Sequence, residues 1–215
     1  MKVKVCGISE VKQMEQLQQL GVDYAGIIFY EGSRRFAGQK LQGKKQEIRN
    51  IEIKKIGVFV NADIEVILTA VADYDLYAVQ LHGDEPVAFC QNLKESTRII
   101  KVFRIAQQQD LNSVVEPFQN SCDYFMFDTS PPPAFNGNTV YGGTGKKFDW
   151  NILQSAIIGK PFFLSGGIKP ADVEDIKAFH HDQLYAVDIN SGFEVEPGIK
   201  DLDKVEVFAN KLKNE

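Results

Sequence analysis

Val3-Lys4-Val5-Cys6-Gly7-Ile8-Ser9 runs straight into Glu10–Leu20, and the change of pattern at that join decides the fold. The first four residues form a short run of strand character. In the segment that follows, Val11, Met14, Leu17 and Leu20 recur at three-residue steps, which sets them on one face of a helix. Ser9 is placed to cap that helix and Gly21 to stop it. Strand, turn and helix make one unit, and working outward the unit recurs. Further strands are expected at Tyr24–Phe29, Lys55–Val60, Tyr77–Leu81, Arg98–Phe103, Tyr124–Asp128, Phe162–Ser165 and Tyr185–Ile189. Helices are expected at Glu85–Lys94, with Asp84 as cap and Pro86 in the first turn; at Ala171–Phe179, after Pro170; and at Leu202–Leu212, capped by Asp201.

Strands alternating with helices imply a parallel sheet, and eight such units close most readily into a (β/α)₈ TIM barrel. No composition break marks a linker, so residues 1–215 are read as one α/β domain. The rival is an open doubly wound sheet. As a dinucleotide binder it would want a glycine-rich fingerprint after the first strand, and Cys6-Gly7-Ile8-Ser9 is not one. One connection, Thr129–Lys147, is long and carries three consecutive prolines followed by several glycines. Beside a barrel mouth such a loop is read as a lid or binding loop.

Hydrophobic residues make up 44% of the chain and charged residues 25%, the mix of an ordinary soluble globule. No apolar run approaches the roughly 18 residues that a membrane span needs, and the N-terminus lacks the layout of a signal peptide. Three cysteines without paired spacing argue against a disulfide framework and for a reducing cytoplasm. A net charge of −5 weighs against a nucleic-acid partner but permits an anionic small molecule.

In a barrel of this kind every strand's C-terminal end opens onto the face where chemistry is done. Cys6 ends the first strand and Asp128 the sixth, so a thiol and a carboxyl can face each other across one pocket as a base and an acid; the alternative is a thiol that only packs and a carboxyl that only hydrogen-bonds a loop. Of the two, the acid is the harder to hold in its working protonation state near neutral pH, and burial is the expected means. Ser165-Gly166-Gly167 follows the seventh strand and Asn190-Ser191-Gly192 the eighth, where barrels commonly hold phosphate on backbone N–H groups. Cys90, within a helix, and Cys122, toward the opposite end, are read as packing residues. Arg34 and Arg35 lie in the loop after the second strand, where a guanidinium suits a carboxylate. Gln80 and His82 end the fourth strand on the same side of the sheet. His82 is open to two readings, proton carrier or structural support. No spacing of His, Cys or carboxylates resembles a metal site.

Taken in order, Lys4-Val5-Cys6-Gly7-Ile8, Gly57-Val58-Phe59-Val60-Asn61, Val79-Gln80-Leu81-His82-Gly83, Asp128-Thr129, Gly142-Gly143-Thr144-Gly145-Lys146, Phe148-Asp149-Trp150, Leu164-Ser165-Gly166-Gly167 and Val187-Asp188-Ile189-Asn190-Ser191-Gly192 resemble the phosphoribosylanthranilate isomerase family of tryptophan biosynthesis. The resemblance spans nearly the whole chain. It implies a (β/α)₈ barrel and an Amadori rearrangement of a phosphoribosyl substrate, with no cofactor and no metal. It also implies Cys6 as general base, Asp128 as general acid and Arg35 as partner of the anthranilate carboxylate. Gly143, Gly145, Gly166, Gly167, Ser191 and Gly192 fall where the family binds substrate, and Gln80 and His82 are grouped with them. A cytoplasmic monomer or homodimer is expected.

Rivals remain on the same barrel. A metal-dependent sugar-phosphate epimerase would want histidines at strand ends, where only His82 stands. The aminoaldose isomerase of histidine biosynthesis would want an aspartate in place of Cys6. A non-catalytic barrel that binds a phosphorylated metabolite would show affinity without turnover.

Overall fold

The computed structural model describes residues 1–105, 110–129 and 147–213. Eight parallel strands close into a barrel in chain order: β1 Lys2–Val5, β2 Tyr24–Ile28, β3 Lys54–Phe59, β4 Leu76–Leu81, β5 Arg98–Ile105, β6 Tyr124–Thr129, β7 Phe162–Leu164 and β8 Leu184–Ile189. β8 pairs back onto β1, with Lys2 opposite Ala186 and Lys4 opposite Asp188. That closing pair excludes the open doubly wound sheet. Each expected strand is present, with ends moved by one or two residues.

The helices between them are α1 Val11–Gln19, α2 Lys45–Arg49, α3 Ile64–Tyr74, α4 Val87–Lys94, α5 Leu111–Val115, α6 Asn151–Gln154, α7 Val173–Ala178 and α8 Leu202–Lys213. A short antiparallel hairpin, β9 Glu194–Glu196 with β10 Ile199–Lys200, follows β8 and was not foreseen from sequence. Asp201 caps α8 as expected, its Oδ1 accepting from the Lys204 N–H at 3.2 Å. Two other expected caps are corrected. The residue before α1 is Glu10, and Ser9 instead donates its hydroxyl to the Gly198 carbonyl in the hairpin at 3.1 Å. The residue before α4 is Pro86, and Asp84 instead pairs with Arg104. In both cases a partner distant in sequence competes successfully with the local backbone.

Alternation along the strands produces two cores. Outward residues such as Val3, Val5 and Ile27 pack with α1 residues Met14 and Leu17 in the shell between sheet and helices. Inward residues Tyr24, Ile56, Ala78, Ile100, Met126 and Phe163 fill the barrel itself. Tyrosines close its N-terminal end: the Tyr24 and Tyr185 hydroxyls lie 2.7 Å apart, and Lys2 Nζ donates to Tyr185 at 2.7 Å. With that floor packed, the interior opens at the C-terminal end.

Candidate active site

The C-terminal mouth holds one pocket that gathers Cys6, Arg35, Gln80, His82, Asp128, Gly166, Gly167 and Ser191 from widely separated parts of the chain. Its open volume is about 770 Å³. Cys90 and Cys122 are fully buried away from it, as read from sequence. Gly192 sits behind the lining, where a Cβ would come within 2.5 Å of the Ile168 carbonyl oxygen. Gly143 and Gly145, and most of the long loop after β6, lie outside the described residues.

Cys6 continues the β1 ladder, its N–H donating to the Ile189 carbonyl at 2.9 Å, so alternation turns Cys6 and Lys4 to the same inward side. Lys4 is wholly buried and its ammonium donates to Asp188 Oδ1 at 2.8 Å; Asp188 Oδ2 accepts from the Ser165 hydroxyl at 3.1 Å. Burial works against the charge on Lys4, but Asp188 and the neighbouring thiol outweigh it and hold the ammonium above its usual range. Burial pushes the Cys6 thiol up, and the Lys4 ammonium opposes that without cancelling it. Lys4 and Asp188 were missed as site residues. The alternation Lys4, Cys6 was the signal, since a lysine facing into a barrel needs an acidic partner there.

Asp128 is the last residue but one of β6, with Oδ1 accepting from the Thr129 N–H at 2.7 Å. Its Oδ2 lies 3.3 Å from His82 Nε2, outside hydrogen-bond direction although close enough for an ion pair. The other ring nitrogen, Nδ1, is 3.2 Å from Gln80 Nε2. Gln80 thus leaves its carbonyl oxygen buried in the pocket wall without a hydrogen bond, and His82 Nε2 is in the same position. Two orphaned polar atoms in one wall mark where a polar ligand would be held.

Arg35 is nearly buried and gives Nε and Nη2 to the Glu194 carboxylate at 2.8 and 2.7 Å. Glu194 also accepts from Lys200 Nζ at 2.7 Å and from the Gly198 N–H at 3.0 Å. Burial disfavours charge on Glu194, but these donors hold its pKa down to about 2. Burial lowers the pKa of Lys200, whose ammonium also donates to Asn190 Oδ1 at 2.7 Å. Two cations against one carboxylate leave this corner with a surplus positive charge. Glu194 and Lys200 were not legible in advance, because the hairpin that carries them was not.

The pocket is also lined by the glycine turn after β7 and by the turn after β8, whose Asn190 adjoins this corner. Gly166 and Gly167 have φ of +92° and +66°, a backbone that side chains with a Cβ rarely adopt. Ser191 opens a single 3₁₀ turn, Ser191–Phe193. Among the described residues no three His, Cys, Asp or Glu side chains converge as metal ligands.

A closed barrel with a mixed-charge pocket at the C-terminal ends of its strands defines the class, a (β/α)₈ barrel of the kind whose chemistry sits at that face. Comparison with known proteins narrows that class. The family model described as N-(5′-phosphoribosyl)anthranilate (PRA) isomerase matches residues 3–211. A protein of that name from Parabacteroides distasonis is 40% identical over 214 residues, covering 99% of this chain and 93% of its own. The crystal structure of the Thermotoga maritima isomerase superposes with a TM-score of 0.82 at 30% identity, covering 100% of both chains. A second isomerase structure, in complex with reduced 1-(o-carboxyphenylamino)-1-deoxyribulose 5-phosphate, superposes with a TM-score of 0.79 at 27% identity, again over 100% of both. This chain belongs to the N-(5′-phosphoribosyl)anthranilate isomerase family.

Proposed function

We propose that Cys6 and Asp128 act as base and acid in the reaction of this family, the Amadori rearrangement of tryptophan biosynthesis. N-(5-phosphoribosyl)anthranilate becomes 1-(2-carboxyphenylamino)-1-deoxyribulose 5-phosphate. The observation that carries the assignment is that the two side chains line one cavity together with Arg35 and both glycine-bearing turns.

Asp128 gives its proton to the ribose ring oxygen, and the ring opens to a Schiff base. Cys6, as thiolate, takes the proton from C2′. The C–H electron pair becomes the C1′=C2′ bond of an enolamine, and the nitrogen recovers its lone pair. Tautomerisation then protonates C1′ and releases the C2′ hydroxyl proton, giving the ketone. A proton passes from the thiol back to the Asp128 carboxylate through water, so the enzyme returns unchanged. His82, its Nε2 3.3 Å from Asp128 Oδ2, is assigned to the substrate-binding wall beside the acid.

The remaining residues bind. Gly166, Gly167, Ser191 and Gly192 shape the two turns that hold the phosphate, and Gln80 offers its free carbonyl oxygen to a sugar hydroxyl. Gly143 and Gly145 are assigned to substrate from the family pattern alone. Arg35 meets the anthranilate carboxylate with the part of its guanidinium not given to Glu194. The whole chain, residues 1–215, acts as one barrel domain, in the cytoplasm, as a monomer or homodimer without a nucleic-acid partner. No helix among the described residues is long and apolar enough to cross a membrane.

The test is to mix the protein with freshly prepared phosphoribosylanthranilate and follow the loss of its fluorescence. Loss at a rate proportional to enzyme concentration, with the carboxyphenylamino-deoxyribulose phosphate identified as product, is the expected result. Binding without conversion would favour the non-catalytic barrel.

A further inference from the structure

The proposed mechanism asks a thiol to ionise inside a barrel. Cys6 is 4% exposed, so water does little for a sulfur anion there. On β1 itself the chain places a cation on the same inward side. Lys4 lies two residues earlier on β1 and is 0% exposed.

The slot that holds both groups is cut by a glycine on the neighbouring strand. A Cβ on Gly26 of β2 would stand 2.9 Å from Cys6 Sγ and 3.2 Å from Lys4 Nζ. Sulfur and ammonium therefore crowd the same small space, which the absence of a side chain leaves for them. On the far side Asp188 of β8 holds the ammonium at 2.8 Å, and Ser165 steadies Asp188. The charged and titratable groups that face Cys6 are then Lys4 on its own strand, Asp188 on β8 and Lys200 on β10. Tyr30, after β2, packs against the same apolar cluster. Lys200 is committed to Glu194 and Asn190, at 2.7 Å each. Among the described residues Lys4 is paired with one carboxylate, Asp188.

We propose that Lys4 is a positioning residue for the base: held by Asp188 in the space beside Gly26, its ammonium stabilises the Cys6 thiolate that removes the C2′ proton. Lys4 keeps its own proton throughout; only its electrostatic pull acts. Asp188 has two opposed effects, fixing the ammonium in place and weakening its pull on the sulfur. Removing Lys4 and neutralising Asp188 therefore move the thiol in opposite directions, a signature that general loosening of the mouth does not produce.

The inference rests on Cys6 being the base, so the readout is chosen to need no substrate. Iodoacetamide alkylation of Cys6 is followed by peptide mass spectrometry across pH in the unsubstituted protein, Lys4→Met and Asp188→Asn. Mapping by peptide separates Cys6 from Cys90 and Cys122. In Lys4→Met the ionisation midpoint is expected to rise by about one unit, or about a tenfold slower alkylation at a pH below the midpoint. In Asp188→Asn it is expected to fall. Midpoints that stay put in both variants, or that move in the same direction, overturn the proposal. If Lys4→Met does not fold, Lys4→Gln takes its place under the same criteria, because the Asp188 carboxylate also acts on the sulfur directly. Turnover by Cys6→Ala is the separate control. Should that variant work normally, the base assignment fails even where the alkylation midpoints shift as expected.

Discussion

Arg35 and Glu194, 159 positions apart in the chain, meet side-on in the mouth of the barrel, with Nε and Nη2 of the guanidinium on the carboxylate at 2.8 and 2.7 Å. The residue assigned to the substrate's carboxylate is thus already bound to a carboxylate of the protein. That pair does not remove Arg35 from binding. It fixes the plane of the guanidinium, and Lys200 keeps the corner cationic after Glu194 has been neutralised.

Arg35→Ala is expected to raise KM with a smaller effect on kcat, because the anthranilate half loses its counter-charge. Glu194→Gln is expected to do the same by about tenfold, since hydrogen bonds to charged groups are worth about 1.5–3 kcal/mol and the orientation of Arg35 depends on them. Inhibition by a product-like aryl carboxylate, set beside inhibition by inorganic phosphate, checks this. An unchanged aryl carboxylate constant in Arg35→Ala removes the assignment.

The same carboxylate gives an expectation for acid stability. Glu194 is held at about 2 in the folded protein against an ordinary 4.5. A depressed folded pKa contributes stability that is fully present above about 4.5 and is lost as pH falls toward about 2. The stability difference between the unsubstituted protein and Glu194→Gln should therefore be constant above that window and shrink within it. Urea unfolding at a series of acidic pH values measures it; a difference that persists unchanged to the bottom of the window contradicts the pairing.

Cys6→Ala and Asp128→Asn are each expected to lose most of kcat, by about 10²–10⁴-fold for removal of a general acid or base, while substrate still binds. Single-turnover fluorescence separates the two quantities. Near-normal turnover in either variant would end that residue's role.

Gly166→Ala is expected to damage acid and phosphate sites together. Its φ of +92° is strained for alanine, and the new Cβ would stand 2.7 Å from the Thr129 backbone nitrogen and 3.2 Å from Asp128 Oδ1. A loss of about 1–3 kcal/mol of stability is the scale for one residue forced into such a backbone. Thermal unfolding and phosphate inhibition are the two readouts. Full stability with full phosphate affinity would show that the turn tolerates a side chain.

The eight strands and the principal helices were legible in the residues because their signals are local. Alternation, three-residue steps, Pro170 and Asp201 act within a turn or two of the backbone. The same locality explains the errors at Ser9 and Asp84, whose partners Gly198 and Arg104 lie far along the chain. Strand ends pointing one way were enough to place Cys6 and Asp128 on one face. What stands behind them was not legible. Gly26 beneath sulfur and ammonium needs β2 paired to β1, and Lys4 beside Asp188 needs β8 to close onto β1, which brings residues 184 positions apart to 2.8 Å; Glu194 meets Arg35 only once the hairpin after β8 folds over the mouth. A chain's own pattern dictates which segments become strands and helices; which buried charges neutralise one another depends on ring closure, because an ion pair inside a barrel is a relation across space with no spacing in sequence to announce it.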